Sequence, residues 1–228
     1  MRNNFSKEEI NEIIQWDVKN WKNALPFWDA HFDIKPGMKV LALGEREGGL
    51  SFYFAKLGCE VYCTDYNEMP EVTQKMHQEK GVADKIQYKQ IDIRDIDFED
   101  ETFDIVVFKS VLGVVNDKTG QDQSIQEIHR VLKKGGAFLF AENTAATKFH
   151  AFLRKKFIKW SNIWRYIKLE DFAEWAKLFS KSNYKVHGFM ALFGRSEGQR
   201  NFISVFDKIV SPITPKRWKY IYFGVYIK

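Results

Sequence analysis

The chain has 228 residues, of which 45% are hydrophobic, and a formal net charge of +5. This length suits one α/β domain rather than two, and the interspersed signs of its charged residues, 29% of the chain, argue against a dedicated nucleic-acid-binding protein. No apolar run reaches the roughly 18 residues that span a bilayer and no secretory signal is present, so we expect a cytoplasmic protein without a transmembrane segment.

The first predicted element is an N-terminal helix. Ser6-Lys7-Glu8-Glu9 is a capping box. Apolar residues then recur at helical spacing as far as Leu25, and Pro26 is expected to break or re-aim the helix. Asp17 falls on the same apolar face, where it lies either at the rim or towards a ligand cavity. We assign residues 1–36 to a helical cap.

A glycine-rich turn follows the first predicted strand. The apolar run Val40 to Leu43 leads into Gly44-Glu45-Arg46-Glu47-Gly48-Gly49 and then into a helix. Such a turn brings backbone N–H groups and a positive helix end close to a ligand. Asp65 closes the next strand about 20 residues after Gly44, where an acid can hold a ribose diol. The turn and the acid together predict a nucleotide-like ligand. The alternative is that the glycines only make a tight connection between strand and helix.

Strands continue to alternate with helices further along the chain. Strand-like segments run from Ile86 to Ile91, from Phe103 to Phe108 and from Ala137 to Ala141. Such alternation predicts a parallel, doubly wound sheet. Lys109 and Ser110 follow the fourth strand, and ligands of such sheets bind at the carboxyl ends of strands. These two residues either line the reaction centre or are ordinary loop residues.

Residues 38 to 143 resemble the class I S-adenosylmethionine-dependent methyltransferases motif by motif. Asp65 matches the ribose-binding acid of that family, and Asp92 with Ile93 matches its adenine-contacting pair. Two positions depart from the pattern, because Ala42 stands in place of an acid and Arg46 in place of the middle glycine. Glu45 or Glu47 is expected to compensate.

The resemblance implies a Rossmann-like α/β sheet of about seven strands, mostly parallel with an antiparallel last strand, in the order 3-2-1-4-5-7-6. It also implies S-adenosyl-L-methionine as the cofactor and S-adenosyl-L-homocysteine as the product. The residues expected to bind the cofactor are Gly44, Glu45, Arg46, Gly48, Asp65, Tyr66, Asp92, Ile93, Lys109 and Ser110. Two cysteines at a spacing of four lack a second pair to complete a zinc site, so we predict no metal.

A basic, aromatic helix is predicted after the fifth strand. Its stripe runs from Phe149 to Trp164 and is flanked by Arg154, Lys155 and Lys156. Such a helix packs against the core, covers an acceptor or contacts a membrane surface, and these three alternatives stay open. The residues expected to bind the acceptor are Trp160, Trp164, Arg165 and Tyr166. They offer rings for stacking and a guanidinium for an anion or a sugar.

A narrower likeness concerns the acceptor. The Gly44-to-Gly49 turn, the sequence Trp-Asp-Val-Lys-Asn-Trp upstream and Phe-Gly-Arg-Ser-Glu downstream are similar to a bacterial subgroup associated with polysaccharide biosynthesis. This likeness implies methyl transfer to a hydroxyl of a sugar or a sugar-linked small molecule. Glu142, His150 and Asp17 are the candidate bases for such a hydroxyl. An NAD-dependent oxidoreductase and a non-catalytic nucleotide-binding protein of the same fold are the alternatives.

The domain organisation follows from these elements. We expect a single domain over 1–228, with a cofactor-binding core at 37–143 and an acceptor-side insertion or lid at 144–182. Strands and a helix fill 183–228. The sequence does not predict an oligomeric state.

Overall fold

The computed structural model describes residues 5–157, 163–194 and 196–228, and these form a sheet flanked by helices. The strands are β1 (Lys39–Leu43), β2 (Glu60–Asp65), β3 (Ile86–Gln90), β4 (Phe103–Lys109), β5 (Leu132–Asn143), β6 (Lys181–His187) and β7 (Ile221–Ile227). The helices are α1 (Lys7–Ile14), α2 (Val18–Trp21), α3 (Ala24–His31), α4 (Gly49–Lys56), α5 (Glu71–Glu79), α6 (Lys118–Val131), α7 (Lys148–Phe157), α8 (Leu169–Trp175) and α9 (Glu197–Val210).

The strand order confirms the predicted fold class. Within the described residues the order is β3-β2-β1-β4-β5-β7-β6. The first five strands pair in parallel. β7 runs antiparallel to both of its neighbours, β5 and β6. The order reverses between β1 and β4. Ligands of open α/β sheets bind at such a switch point, in the crevice outside the carboxyl ends of the strands.

Both faces of the sheet are buried, which explains why its central strands read as continuous apolar runs. Along β1, Val40 and Ala42 belong to the hydrophobic cluster on one face. Leu41 and Leu43 belong to the cluster on the other face. Cys59 and Cys63 are both buried with free thiols.

The N-terminal cap differs from the single helix that the sequence predicts. The capping box is confirmed, because the Ser6 and Glu9 side chains each accept the other's backbone N–H. The helix nevertheless ends at Ile14, and the backbone has φ of 70° at Gln15 and 46° at Asp17 before the next turn. The expected break at Pro26 is wrong. Pro26 lies in the first turn of α3, where its missing N–H would have no intrahelical acceptor.

The basic, aromatic segment is described in part. α7 is described from Lys148 to Phe157, and Trp164 to Tyr166 lie in irregular backbone. Trp160, one of the expected acceptor-binding residues, lies outside the described residues. None of the helices in the described ranges combines the length and apolarity needed to cross a bilayer.

Candidate active site

Three cavities meet at the carboxyl ends of the strands. The strand-end cavity, of about 570 Å³, is lined by Gly44, Asp65, Tyr66, Asp92 and Ile93 among others. The small cavity, of about 160 Å³, lies between the glycine turn, Trp16 and Lys109. The aromatic cavity, of about 590 Å³, is lined by residues that include Trp16, Asp17, Arg154, Trp164, Tyr166 and Tyr220. Ser110 lines all three cavities, so they converge on one point after β4.

Two glycines in the left-handed conformation allow the glycine turn to pack closely against its neighbours. Gly44 and Gly48 have φ of +66° and +69°, a region that side chains disfavour. A Cβ on Gly44 would lie 2.5 Å from Cγ2 of Val111, and a Cβ on Gly48 would lie 2.6 Å from the His77 ring. A side chain at either position therefore collides with a wall of the site.

His77 supports this turn, although its polar sequence neighbours predict a solvated helix residue. That expectation is wrong, because His77 is fully buried. Its Nε2 lies 2.9 Å from the Gly48 carbonyl oxygen, and its Nδ1 lies 2.9 Å from the Tyr88 hydroxyl. Thr73, one helical turn earlier, donates its hydroxyl to the Arg46 carbonyl at 2.7 Å. The i, i+4 spacing of Thr73 and His77 is the sequence signal that points to a shared buried face.

Glu45 is the buried acid of the turn, whereas Arg46 and Glu47 are exposed. One oxygen of the Glu45 carboxylate accepts the Ser51 N–H at 2.9 Å, in the first turn of α4. Burial raises the pKa of Glu45 to about 7 despite this hydrogen bond. Glu45 therefore holds one of the N–H groups that a helix start leaves without an intrahelical partner. Arg46 lines both the strand-end cavity and the small cavity.

Asp65 and Tyr66 stand at the end of β2. The half-buried Asp65 carboxylate accepts the Asn67 N–H at 2.9 Å and its side-chain amide at 3.4 Å, both through Oδ1. The other carboxylate oxygen accepts no hydrogen bond from the described residues, and Asp65 lines the strand-end cavity. Tyr66 is 63% exposed beside it. An acid with an unengaged oxygen at this edge can accept hydrogen bonds from a diol.

Asp92 and Ile93 also line the strand-end cavity. The Asp92 carboxylate accepts from both Nε and Nη2 of Arg94, the latter at 2.6 Å, and from the Arg94 N–H. These hydrogen bonds lower the pKa of Asp92 below its ordinary value. Ile93 is buried. The pair offers an ionised acid and an apolar side chain next to each other.

Lys109 enters the small cavity from the end of β4. Its Nζ lies 4.2 Å from the ring centre of Trp16 and 5.2 Å from that of Trp21. No carboxylate of the described residues comes within ion-pair distance of this ammonium. Burial lowers the pKa of Lys109 to about 8, against the opposing effect of nearby acids, of which Glu45 acts most strongly. The ammonium is therefore charged at neutral pH and available to an anionic group.

Ser110 is held in a left-handed conformation at the point where the cavities meet. Its φ is 59°, its N–H donates to the Ala141 carbonyl at 2.8 Å, and its hydroxyl accepts the Asn143 side-chain amide at 2.7 Å.

Glu142 contacts the residues that follow Ser110. Its carboxylate accepts the N–H groups of Val111 and Leu112 at 2.8 Å and of Asn143 at 2.7 Å. Burial raises the pKa of Glu142 to about 7.

Of the three candidate bases, only Asp17 lines a cavity among the described residues. Glu142 is fully buried and faces backbone amides. His150 is also fully buried, with Nδ1 at 2.8 Å from the Thr147 hydroxyl and Nε2 at 3.2 Å from the Phe189 carbonyl. Asp17 lines the aromatic cavity, and its carboxylate accepts the Tyr220 hydroxyl at 2.5 Å. Burial raises the pKa of Asp17 to about 6.

The expected acceptor-binding residues separate in the structure. Trp164 and Tyr166 line the aromatic cavity. Arg165 does not line it, and its guanidinium is paired with Asp171 at 2.9 Å and with Gln121. Arg154 and Arg200 line the cavity instead. Arg154 is only one of several basic residues on α7, so the sequence pattern does not distinguish it.

Comparison with protein families identifies the core of the chain. Residues 41–140 match the family model described as a methyltransferase domain. These residues are therefore similar to a methyltransferase domain. The matched residues run from β1 to β5 and include the glycine turn, Asp65 and Asp92, which form the strand-end cavity.

Curated relatives share the methyltransferase domain and part of its flanks. The chain is 32% identical over 160 residues to the ubiquinone/menaquinone biosynthesis C-methyltransferase UbiE of Shewanella frigidimarina, which covers 67% of this chain and 59% of that protein. It is 33% identical over 113 residues to the UbiE of Idiomarina loihiensis, covering 48% and 44%. The chain thus spans about half the length of the curated relatives that it matches.

Solved structures share the fold at low identity. Phosphoethanolamine N-methyltransferase 2 of Haemonchus contortus, in complex with S-adenosyl-L-methionine, superposes with a TM-score of 0.66 at 17% identity, covering 100% of this chain and 58% of that one. The PH0226 protein of Pyrococcus horikoshii has a TM-score of 0.62 at 20% identity, covering 90% and 88%. The methyltransferase domain and its C-terminal strands therefore have a Rossmann-like methyltransferase fold.

Proposed function

We propose that this chain transfers the methyl group of S-adenosyl-L-methionine to a small molecule. The observation that carries the proposal is the meeting of three cavities at Ser110. The sulfonium sulfur of the cofactor bears an adenosyl group, a methionine chain and the methyl group. A sulfur near Ser110 would send one substituent into each cavity.

The proposed cofactor orientation follows from the chemistry of the cavity walls. The strand-end cavity would hold the adenosyl group, with Asp65 accepting hydrogen bonds from the ribose hydroxyls and Ile93, Tyr66 and Asp92 contacting the adenine. The methionine chain occupies the small cavity, where the Lys109 ammonium holds its carboxylate. Gly44 allows the turn to approach the ligand closely.

The methyl group then faces the aromatic cavity. Transfer to an oxygen acceptor forms a carbon–oxygen bond as the sulfur–methyl bond breaks, and the electron pair of the broken bond stays on the sulfur of S-adenosyl-L-homocysteine. The proton of the hydroxyl goes to the Asp17 carboxylate, whose pKa of about 6 is near the working pH. Alignment of the reacting atoms in the converging cavities supplies most of the catalysis.

For the acceptor we propose a hydroxyl of a sugar or sugar-linked compound, as in polysaccharide biosynthesis. Its support is the aromatic cavity, whose rings from Trp16, Trp164, Tyr166 and Tyr220 provide flat surfaces for a sugar ring. Asp17 and Asn143 supply polar groups on the same walls.

Calorimetry with two ligands tests the proposal. S-adenosyl-L-homocysteine is expected to bind at least about a hundredfold more tightly than NAD, a difference of about 2.7 kcal/mol. Tighter binding of NAD would favour the oxidoreductase alternative. A protein that binds S-adenosyl-L-homocysteine but releases none from S-adenosyl-L-methionine with a panel of sugars, sugar phosphates and uronates would favour the non-catalytic alternative.

The proposed role of Lys109 predicts a pH dependence of cofactor binding. A carboxylate prefers the charged ammonium, which is present below the Lys109 pKa of about 8 and is lost as the pH rises through it. The affinity for S-adenosyl-L-homocysteine should therefore fall above pH 8, by at most about tenfold per pH unit. Lys109→Met should lower the affinity about tenfold at pH 7 and remove this part of the pH dependence.

Titration of the ligand's own amino group is common to both proteins, so the comparison between wild type and Lys109→Met isolates the lysine. Calorimetric titrations at pH 7, 8 and 9 measure the effect. Equal slopes of affinity against pH in the two proteins would remove Lys109 from the carboxylate site.

A further inference from the structure

Arg154 is a buried cation without an acidic partner among the described residues. It is 2% exposed, and Nη1 donates to the carbonyl oxygens of Thr144 at 2.7 Å and Ala145 at 3.4 Å. The guanidinium carbon lies 3.9 Å from the ring centre of Tyr166. Nη2 has no hydrogen-bond partner in the described part of the chain. No carboxylate of the described residues forms an ion pair with it.

This arrangement is costly unless something else binds there. A buried charged group with an unmade hydrogen bond costs more than the roughly 1–3 kcal/mol of a neutral one. Burial lowers the pKa of Arg154 to about 10, so the guanidinium stays charged at neutral pH. Arg154 lines the aromatic cavity. A ligand in that cavity can therefore approach Arg154.

A second arginine lines the same cavity from α9. Arg200 donates Nε to the Gly194 carbonyl at 3.2 Å, and its Nη1 lies 4.0 Å from Oε1 of Glu197. Arg165 is a useful contrast, because its guanidinium is paired with Asp171 and bonded to Gln121, and it does not line the cavity. Arg154 and Arg200 thus line the cavity and keep guanidinium N–H groups that no described residue accepts.

We propose that the methyl acceptor carries an anionic group, a carboxylate or a phosphate, which binds to Arg154 in the aromatic cavity with Arg200 beside it. This inference rests on the proposed function only where it identifies the bound molecule as the methyl acceptor. The anion site itself does not depend on methyl transfer. The anion accepts hydrogen bonds from the Arg154 guanidinium while the rings hold the rest of the molecule. Asp17 and Ser110 remain for the reacting hydroxyl at the other wall.

The test titrates the full chain with inorganic phosphate and, separately, with acetate at constant ionic strength in chloride. The side-chain N–H signals of ¹⁵N-labelled protein report the binding, and Arg154→Gln assigns the Arg154 signals. We expect saturable shifts of those signals with at least one anion. A stronger response to phosphate indicates a phosphorylated acceptor, and a stronger response to acetate indicates a carboxylate.

Variants separate the site from general charge effects. Arg154→Gln should weaken anion binding at least tenfold, and Arg154→Lys should weaken it less because the charge remains. Arg165→Gln is the matched control and should leave anion affinity within about twofold. Wild-type Arg154 signals that do not respond to either anion, or equal responses in wild type and Arg154→Gln, would overturn the proposal even if the second variant is unstable.

The proposed function can fail separately from this inference. If S-adenosyl-L-homocysteine does not bind but phosphate shifts the Arg154 signals, the anion site stands and methyl transfer does not. If S-adenosyl-L-homocysteine binds and neither anion does, the methyltransferase assignment stands and its acceptor is not anionic at Arg154.

Discussion

Replacing Asp65 with alanine is expected to weaken S-adenosyl-L-homocysteine binding about a hundredfold, which corresponds to about 2.7 kcal/mol. The carboxylate lines the strand-end cavity and, among the described residues, accepts hydrogen bonds only from Asn67. Its remaining capacity suits the ribose diol, and charge-assisted hydrogen bonds contribute about 1.5–3 kcal/mol each. Calorimetric titration measures the loss.

A matched control for Asp65→Ala is Asp97→Ala. The Asp97 side chain is 88% exposed and pairs with Lys89 at 2.8 Å, outside the lining of the strand-end cavity. This variant should bind S-adenosyl-L-homocysteine as wild type does, and both variants should melt within about 3 °C of wild type. If Asp65→Ala binds as tightly as Asp97→Ala, the ribose is not held at the end of β2.

The fold was predictable because its signals are local and repeated. Val40 to Leu43 pack on both faces of the sheet, so an unbroken apolar run marked β1 as a buried strand. Asp65 was predicted from its place at the end of the second strand, and Asp92 from the resemblance to the class I methyltransferases. Both line the strand-end cavity.

The acceptor side was less predictable because its residues depend on distant contacts. Arg154 and Arg165 are both arginines near aromatic residues, and the sequence pattern favoured Arg165. Its guanidinium is instead turned away by Gln121, 44 positions earlier in the chain, and by Asp171. Nothing in the spacing of basic residues records which of them a distant partner will neutralise.

The positive φ values of some non-glycine residues could not be predicted from the sequence either. Gln15 and Asp17 adopt positive φ and interrupt an apolar pattern that continues through them. The carboxylate of Asp17 is anchored by Tyr220, from the far end of the chain, and by Asn20. Tertiary contacts thus override the helical periodicity and bring Asp17 to the wall of the aromatic cavity.

Gly44→Ala should reduce S-adenosyl-L-homocysteine affinity about a hundredfold, whereas Gly81→Ala should leave it unchanged. The two glycines have nearly the same left-handed backbone, with φ of +66° and +67°, so the conformational cost of a side chain, about 1–2 kcal/mol, is shared. Their surroundings differ. A Cβ at Gly81 meets nothing within 4 Å, while a Cβ at Gly44 lies 2.5 Å from Cγ2 of Val111.

The collision at Gly44 has only two ways to relax, and both disturb the proposed cofactor site. Val111 moves into the strand-end cavity that it lines, or the turn moves away from the ligand. Each route changes the cavity shape that binding requires, so the loss should appear in affinity beyond the common loss in melting temperature. Calorimetry and thermal denaturation of both variants measure the two effects. Equal affinity in Gly44→Ala and Gly81→Ala would mean that the cofactor does not approach this turn.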